Sequence, residues 1–136
     1  MSMLRKSEAS LEFMVFLGII LLFFVFFLII IGLNNNDIRE STIFANADNI
    51  LNTVTNEINT ASRIQGYHRE FFIPEKLVNG EAYTITYNNE LRIVKIEWSG
   101  GRNVMGNIIT NRVNGIINAG YNKIKNLDGE VSINAS

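Results

Sequence analysis

The sequence predicts an α+β protein, in which a long N-terminal α-helix precedes a small antiparallel β-sheet domain packed on that helix. Three observations predict this fold. Residues 13–33 form an apolar run without a charge, and residues 38–64 carry apolar side chains at helical spacing. The rest of the chain alternates apolar and polar residues between turn signals. We therefore expect a helix over residues 8–65 and a sheet domain over residues 66–136.

The composition of the 136 residues excludes several classes of function. Twelve Lys and Arg residues against 13 Asp and Glu residues give a net charge of -1, which argues against a nucleic-acid partner. The chain has no cysteine, so disulfides and thiolate metal sites are excluded. Its one histidine excludes any site that needs two imidazoles. We expect neither a metal nor another cofactor.

The apolar run from Phe13 to Leu33 is long enough to cross a bilayer. As a helix of 21 residues it would extend about 31 Å, the thickness of a hydrocarbon core. A cleaved secretory signal usually has an apolar region of about 7–15 residues followed by small residues at the cleavage site. Here the run ends in Asn34, Asn35 and Asn36. We therefore expect a retained helix.

Charged residues before the run predict its orientation and raise a question about Glu12. Arg5 and Lys6 mark the cytoplasmic flank, so the C-terminal domain of this single-pass protein should lie outside. Glu12 directly precedes the apolar run, where an unpaired charge is costly. It is either an ordinary interfacial carboxylate or one kept for a partner's cation.

The segment Lys6-Ser7-Glu8-Ala9-Ser10-Leu11-Glu12-Phe13, followed by the long apolar helix, resembles the class III signal peptide of archaeal type IV pilins. The resemblance implies that prepilin peptidase removes residues 1–7 by cutting between Ser7 and Glu8. Glu8 stands where the family usually has Gln, and Ser7 where Gly is commonest. Phe16 replaces a Leu.

The resemblance also implies roles for individual residues. The peptidase would recognise its substrate through Arg5, Lys6, Ser10 and Glu12. Assembly would depend on the segment that becomes the filament core. Its implied assembly residues are Glu12, Phe13, Phe16 and Leu17.

The resemblance further implies partners and a function. The chain would rest in membrane lipid and then join copies of itself or related pilins in an extracellular helical filament, which would serve surface attachment. An assembly ATPase and a membrane platform protein would drive this step. Two alternatives stay open: a minor pilin or pseudopilin that primes a filament or secretion apparatus, and a single-pass anchored extracellular binding domain.

Beyond the apolar run, the helix is expected to become amphipathic. Apolar residues recur every three to five positions and should cover the sheet, and Gly66 is a natural stop. The alternative is two helices broken near Asn34–Asn36, because asparagine is a poor helix former. The predicted stripe is Ile38, Ile43, Ala47, Ile50, Val54, Ile58, Ala61 and Ile64.

The strands are predicted by alternation and turn residues. Ala82–Tyr87 and Leu91–Trp98 flank Asn88-Asn89 and form a hairpin signal, with a slip at Ile93-Val94 that indicates a bulge. Shorter candidates are Phe71–Ile73, Val104–Ile109 and Val113–Ile117. Asp128-Gly129 predicts a second hairpin between Asn122–Lys125 and Glu130–Ile133. The many asparagines fit turns and a polar exterior.

Little in the sequence supports catalysis, and we expect no enzyme. Two roles are considered for His68, a cation at the C-terminal end of the helix and a general base, and the first is preferred. Asp128 and Glu130 could share a cation at a turn, but no calcium-loop pattern surrounds them. Asn134 begins the only Asn-x-Ser/Thr sequon and is a candidate for N-glycosylation.

Overall fold

A computed structural model describes the backbone of residues 2–135 and the side chains of residues 9–33 and 37–135. One helix, α1 (Ser2–Arg63), precedes seven strands, and the α+β class is confirmed. The chain divides into two compact units, residues 1–40 and residues 41–136. The strands are β1 (His68–Ile73), β2 (Tyr83–Asn88), β3 (Ile93–Trp98), β4 (Arg102–Asn107), β5 (Val113–Gly115), β6 (Gly120–Leu127) and β7 (Glu130–Ile133).

The bounds of α1 follow from its sequence. The only proline is Pro74, so nothing in α1 removes a helical hydrogen-bond donor. The backbone is helical through residues 34–36, in contrast to the alternative of a break there. The helix ends at Arg63, two residues before the expected Gln65. Gly66 follows with φ of 76°, in the turn that the N–H of Tyr67 closes by donating to the carbonyl of Ile64 at 3.2 Å.

The strands form two sheets, whereas the sequence predicted one antiparallel sheet. A four-stranded sheet has the order β1-β6-β7-β5, and its β5 and β7 strands are parallel. A separate three-stranded antiparallel sheet has the order β2-β3-β4. The pairing of β1 with β6 joins residues about fifty positions apart, such as Ile73 and Gly120. Local alternation carries no signal of such a pairing.

The predicted β2–β3 hairpin is present, but its bulge is not. Tyr83 pairs with Trp98 and Asn88 with Ile93 in unbroken antiparallel register. Strand β3 begins at Ile93, because Arg92 has φ of 54° and belongs to the turn. The apparent slip in alternation therefore marks the start of the strand. The Asp128-Gly129 turn joins β6 and β7 as expected.

The core of the second unit joins one face of α1 to both sheets. The predicted stripe is confirmed from Ile43 to Ala61, whereas Ile38 and Ile64 are exposed. Ile64 lies beyond the end of α1, so it leaves the helical face. Leu51 is buried although the stripe omitted it, and Gly106 of β4 lies against it. The sheets contribute Phe71, Ile73, Val94, Ile96, Trp98, Val113, Ile124, Val131 and Ile133.

Side-chain amides connect elements that the backbone does not. Asn126 is buried in β6 and donates from Nδ2 to the carbonyl of Ala61 in α1, at 2.6 Å. Asn89, in the β2–β3 turn, donates to the carbonyl of Val113 at 2.9 Å and accepts from its N–H at 3.2 Å. Most described asparagines are exposed, as expected of turns and a polar exterior, but Asn122 and Asn126 are buried and Asn126 connects α1 to β6.

Candidate membrane and assembly segment

The apolar segment of α1 is not covered by the residues that the structure describes. Every described side chain from residue 9 to residue 33 is exposed. At the predicted assembly positions, Phe13 is 64% exposed, Phe16 62% and Leu17 49%. In a soluble domain, such side chains would fill the core. These residues must therefore contact something other than the rest of this chain.

Length and composition fit a membrane span. Among the residues that the structure describes, α1 is the one helix long and apolar enough to cross a bilayer. In the most apolar 18-residue stretch of this helix, no residue is buried. This property separates the segment from the core helix of a soluble protein, which is mostly covered by its own chain.

The phenylalanines of the segment are not spread evenly around the helix, a pattern that the sequence reading missed. Successive helical residues are about 100° apart, so five of the six phenylalanines project within an arc of about 100°. Gly18, Val25 and Gly32 project from the opposite half of the helix. A Cβ added at Gly18 or Gly32 would meet no described atom within 4 Å. The aromatic face comprises Phe13, Phe16, Phe23, Phe24 and Phe27.

Glu12 lies one residue before the apolar run and is exposed on α1. Among the described side chains, none forms a hydrogen bond or ion pair with it. Ser10 is also exposed, on the preceding turn. The two residues are thus accessible to another molecule, and any cation that pairs with Glu12 must come from outside the described side chains.

The residues of the predicted leader are only partly described. The backbone of residues 2–8 belongs to α1. The side chains of Arg5, Lys6, Ser7 and Glu8, which the resemblance assigns to recognition and cleavage, lie outside the described residues. Their roles stay predictions.

The other candidate residues are dispersed. His68 lies in β1 and is exposed, so the interpretation as a cation at the end of α1 was wrong: the helix ends five residues earlier. Asp128 and Glu130 are exposed in and after the β6–β7 turn. Among the described residues, no three acidic or histidine side chains are grouped as a metal site.

Asn134 has a structural role in the second unit. Its Nδ2 donates to the carbonyl of Ile116 at 2.9 Å and to Oδ1 of the buried Asn122 at 2.7 Å. Its Oδ1 accepts from the N–H of Lys123 at 2.8 Å. A glycan on Nδ2 would replace one of these donors. Ser136, the third residue of the sequon, lies outside the described residues, and glycosylation stays a prediction.

Two ionisable groups of the second unit are perturbed by their surroundings. Burial raises the pKa of Tyr83 to about 12, and its hydroxyl donates to the carbonyl of Pro74. Arg69 has a raised pKa because it interacts with Tyr67 and with the carboxylate of Glu57, which is 3.0 Å away. Arg69 is at the surface, so this pair stabilises the fold little.

Comparison with known proteins gives no match to a protein-family model, to a curated protein or to a solved structure.

Proposed function

We propose that this protein is a pilin, the structural subunit of an extracellular type IV pilus-like filament that serves surface attachment. The observation that carries the proposal is the uncovered apolar segment of residues 9–33. The order of basic residues, Glu12 and apolar run supports it, because this order resembles that of archaeal pilins.

Two environments can cover the segment in turn. Before assembly, lipid surrounds it, and the hydrophobic effect does not favour leaving lipid for a bundle of helices. Assembly therefore needs an energy source, for which the resemblance implies an ATPase and a platform protein. In the finished filament, each large side chain would otherwise meet water at a cost of about 1.5–3 kcal/mol, so the bundle resists dissociation.

The two faces of the segment suit a helix bundle. Gly18 and Gly32 have no side chain to hold a neighbouring helix away, so helices can approach closely on that face. The aromatic face offers large rings that fill wider gaps between helices. The second unit folds around its own core, so its stability does not require the apolar segment.

Sequencing of the mature N-terminus is the direct test. Surface filaments sheared from cells should contain a chain that begins at Glu8. The variant Ser7→Glu should leave uncut precursor in the membrane, whereas the control Ser2→Glu, five residues from the cut, should be processed normally. A mature chain that retains Met1 or begins after Leu33 would contradict the proposal, and a retained Met1 would favour a single-pass anchored domain.

A further inference from the structure

The tripeptide Val-Asn-Gly occurs twice in the second unit, as residues 78–80 and residues 113–115. These are the two places in the sequence where glycine follows asparagine. Asparagine is most reactive in this position, because glycine has no Cβ to obstruct the attack of its backbone nitrogen on the preceding side-chain amide. Asn79 and Asn114 thus share their local sequence, and a large difference in reactivity between them must come from the fold.

Asn114 lies in β5, and the backbone on both sides of it is held by other elements. The side-chain amide of Asn89 donates to the carbonyl of Val113 at 2.9 Å and accepts from its N–H at 3.2 Å. The hydroxyl of Tyr87 donates to the carbonyl of Gly115 at 2.9 Å. A Cβ built on Gly115 would lie 1.8 Å from a backbone oxygen of β7. Ring closure at Asn114 requires its backbone to rotate, and these contacts oppose that rotation.

Asn79 lies in an exposed turn between β1 and β2. Among the described residues, one backbone hydrogen bond holds the peptide group between Asn79 and Gly80, from the N–H of Gly80 to the carbonyl of Leu77 at 2.8 Å. A Cβ added at Gly80 would meet no described atom within 4 Å. The opening of such a short, solvent-exposed turn is a local fluctuation that leaves both sheets intact.

The side-chain amide of Asn79 already has a hydrogen-bond donor at its oxygen. Oδ1 accepts from the N–H of Glu81 at 3.2 Å. Glu81 is itself anchored, because its carboxylate accepts from the hydroxyl of Ser99 at 2.8 Å and from Arg102 at 3.1 Å. Negative charge develops on Oδ1 when a nucleophile adds to the amide carbon, so this donor stabilises the transition state. The Nδ2 atom of Asn79, which must leave, donates to no described residue.

We propose that Asn79 is a site of spontaneous deamidation in the folded chain. The backbone nitrogen of Gly80 bonds to Cγ of Asn79, and the bond from Cγ to Nδ2 breaks. The proton lost from the backbone nitrogen is balanced by the one that Nδ2 gains as it leaves as ammonia. Water then opens the succinimide ring at either carbonyl, which gives aspartate or isoaspartate. Both products add a negative charge to the turn, and isoaspartate also adds a methylene to the backbone.

Peptide mapping of the full chain by mass spectrometry tests this proposal independently of the filament. The chain would be incubated in detergent micelles at mildly alkaline pH and digested at intervals, and the deamidated fraction would be measured at both asparagines. In the folded chain, we expect Asn79 to react at least about tenfold faster than Asn114. In urea, where the fold is lost, the two rates should agree within about threefold.

Tyr87→Phe is a matched variant, because it removes the hydroxyl that holds Gly115 and keeps the ring. It should accelerate the deamidation of Asn114 several-fold and leave the rate at Asn79 unchanged. The fluorescence of Trp98 would verify that the variant stays folded during the incubation. Equal rates at the two sites in the folded parent, a faster rate at Asn114, or no deamidation of Asn79 until the chain unfolds would overturn the proposal.

Discussion

Asn126 donates its side-chain amide to the backbone carbonyl of Ala61, 65 residues earlier in the chain, at 2.6 Å. Ala61 lies in the last turn of α1, and its carbonyl accepts a second, longer hydrogen bond from the N–H of Ile64, just beyond the helix, at 3.3 Å. Asn126 also accepts from the N–H of Gly129 at 3.0 Å. One buried side chain thus satisfies the end of the helix and the turn between β6 and β7.

Removing this amide should destabilise the second unit. Asn126→Ala removes one of the two donors to the Ala61 carbonyl, which keeps the N–H of Ile64, and leaves the Gly129 N–H without its partner, so the free energy of unfolding should fall by about 1 kcal/mol. Urea titration followed by the fluorescence of Trp98 would measure it. Asn107→Ala is the matched control, because Asn107 is exposed at the end of β4 and should cost little. Equal losses in the two variants would show that the connection is not stabilising.

A charge placed on the buried face of α1 should be costly. Val54 is fully buried, so Val54→Asp would bury an unpaired carboxylate and lower the free energy of unfolding by several kcal/mol. Asn56→Asp introduces the same side chain two residues later, on the exposed side of the helix. We expect the control to unfold like the parent. A Val54→Asp variant of unchanged stability would mean that this face is not packed against the sheets.

Glu12 has three possible roles, which the variant Glu12→Gln distinguishes. Cleavage before Glu8 creates an α-amino group about one helical turn from Glu12, or closer in a neighbouring subunit, and we expect this pair to set the axial register of assembly. Glu12→Gln keeps the size and removes the charge. Normal processing with absent or shortened filaments is the expected result.

Other outcomes of the same experiment have different meanings. Failure of processing would make Glu12 a peptidase recognition residue. Normal processing with normal filaments would show that the carboxylate is merely tolerated at the membrane edge. Immunoblots for the precursor and electron microscopy of sheared material distinguish these results.

The stability of the second unit should fall at alkaline pH because of Tyr83. Its pKa is raised to about 12 in the folded chain, against about 10 when unfolded. The unfolded chain therefore loses this proton first, so the stabilisation is present below about pH 10 and is lost as the pH rises toward 12.

Urea midpoints measured between about pH 9 and pH 11.5 would show this decline. Tyr83→Phe should flatten the decline, although the variant also loses the hydrogen bond to Pro74. Tyr121→Phe serves as the control, because Tyr121 is exposed. An unchanged slope in Tyr83→Phe would assign the alkaline loss to another group.

Local patterns predicted the parts of this molecule that depend on local physics. The apolar run and the 3.6-residue stripe predicted α1, and the Asp128-Gly129 pair predicted the β6–β7 turn. The two sheets were missed because β1 pairs with β6 and β5 with β7, which are distant in sequence, and local alternation does not indicate which strands pair. Asn126 was missed for a related reason: an asparagine that replaces a backbone partner looks like one in an exposed turn.

The hydrogen-bonded amides of Asn89, Asn122 and Asn126 also link the folded state to the chemical stability of these side chains. Hydrolysis of an asparagine amide yields a carboxylate, which has lost the N–H donor and carries a charge. At Asn126, that product would face the Ala61 carbonyl with acceptor against acceptor. The backbone around these residues is held in sheets and tight turns, which hinders the ring closure that starts such ageing. The chemical durability of the second unit then depends on its staying folded.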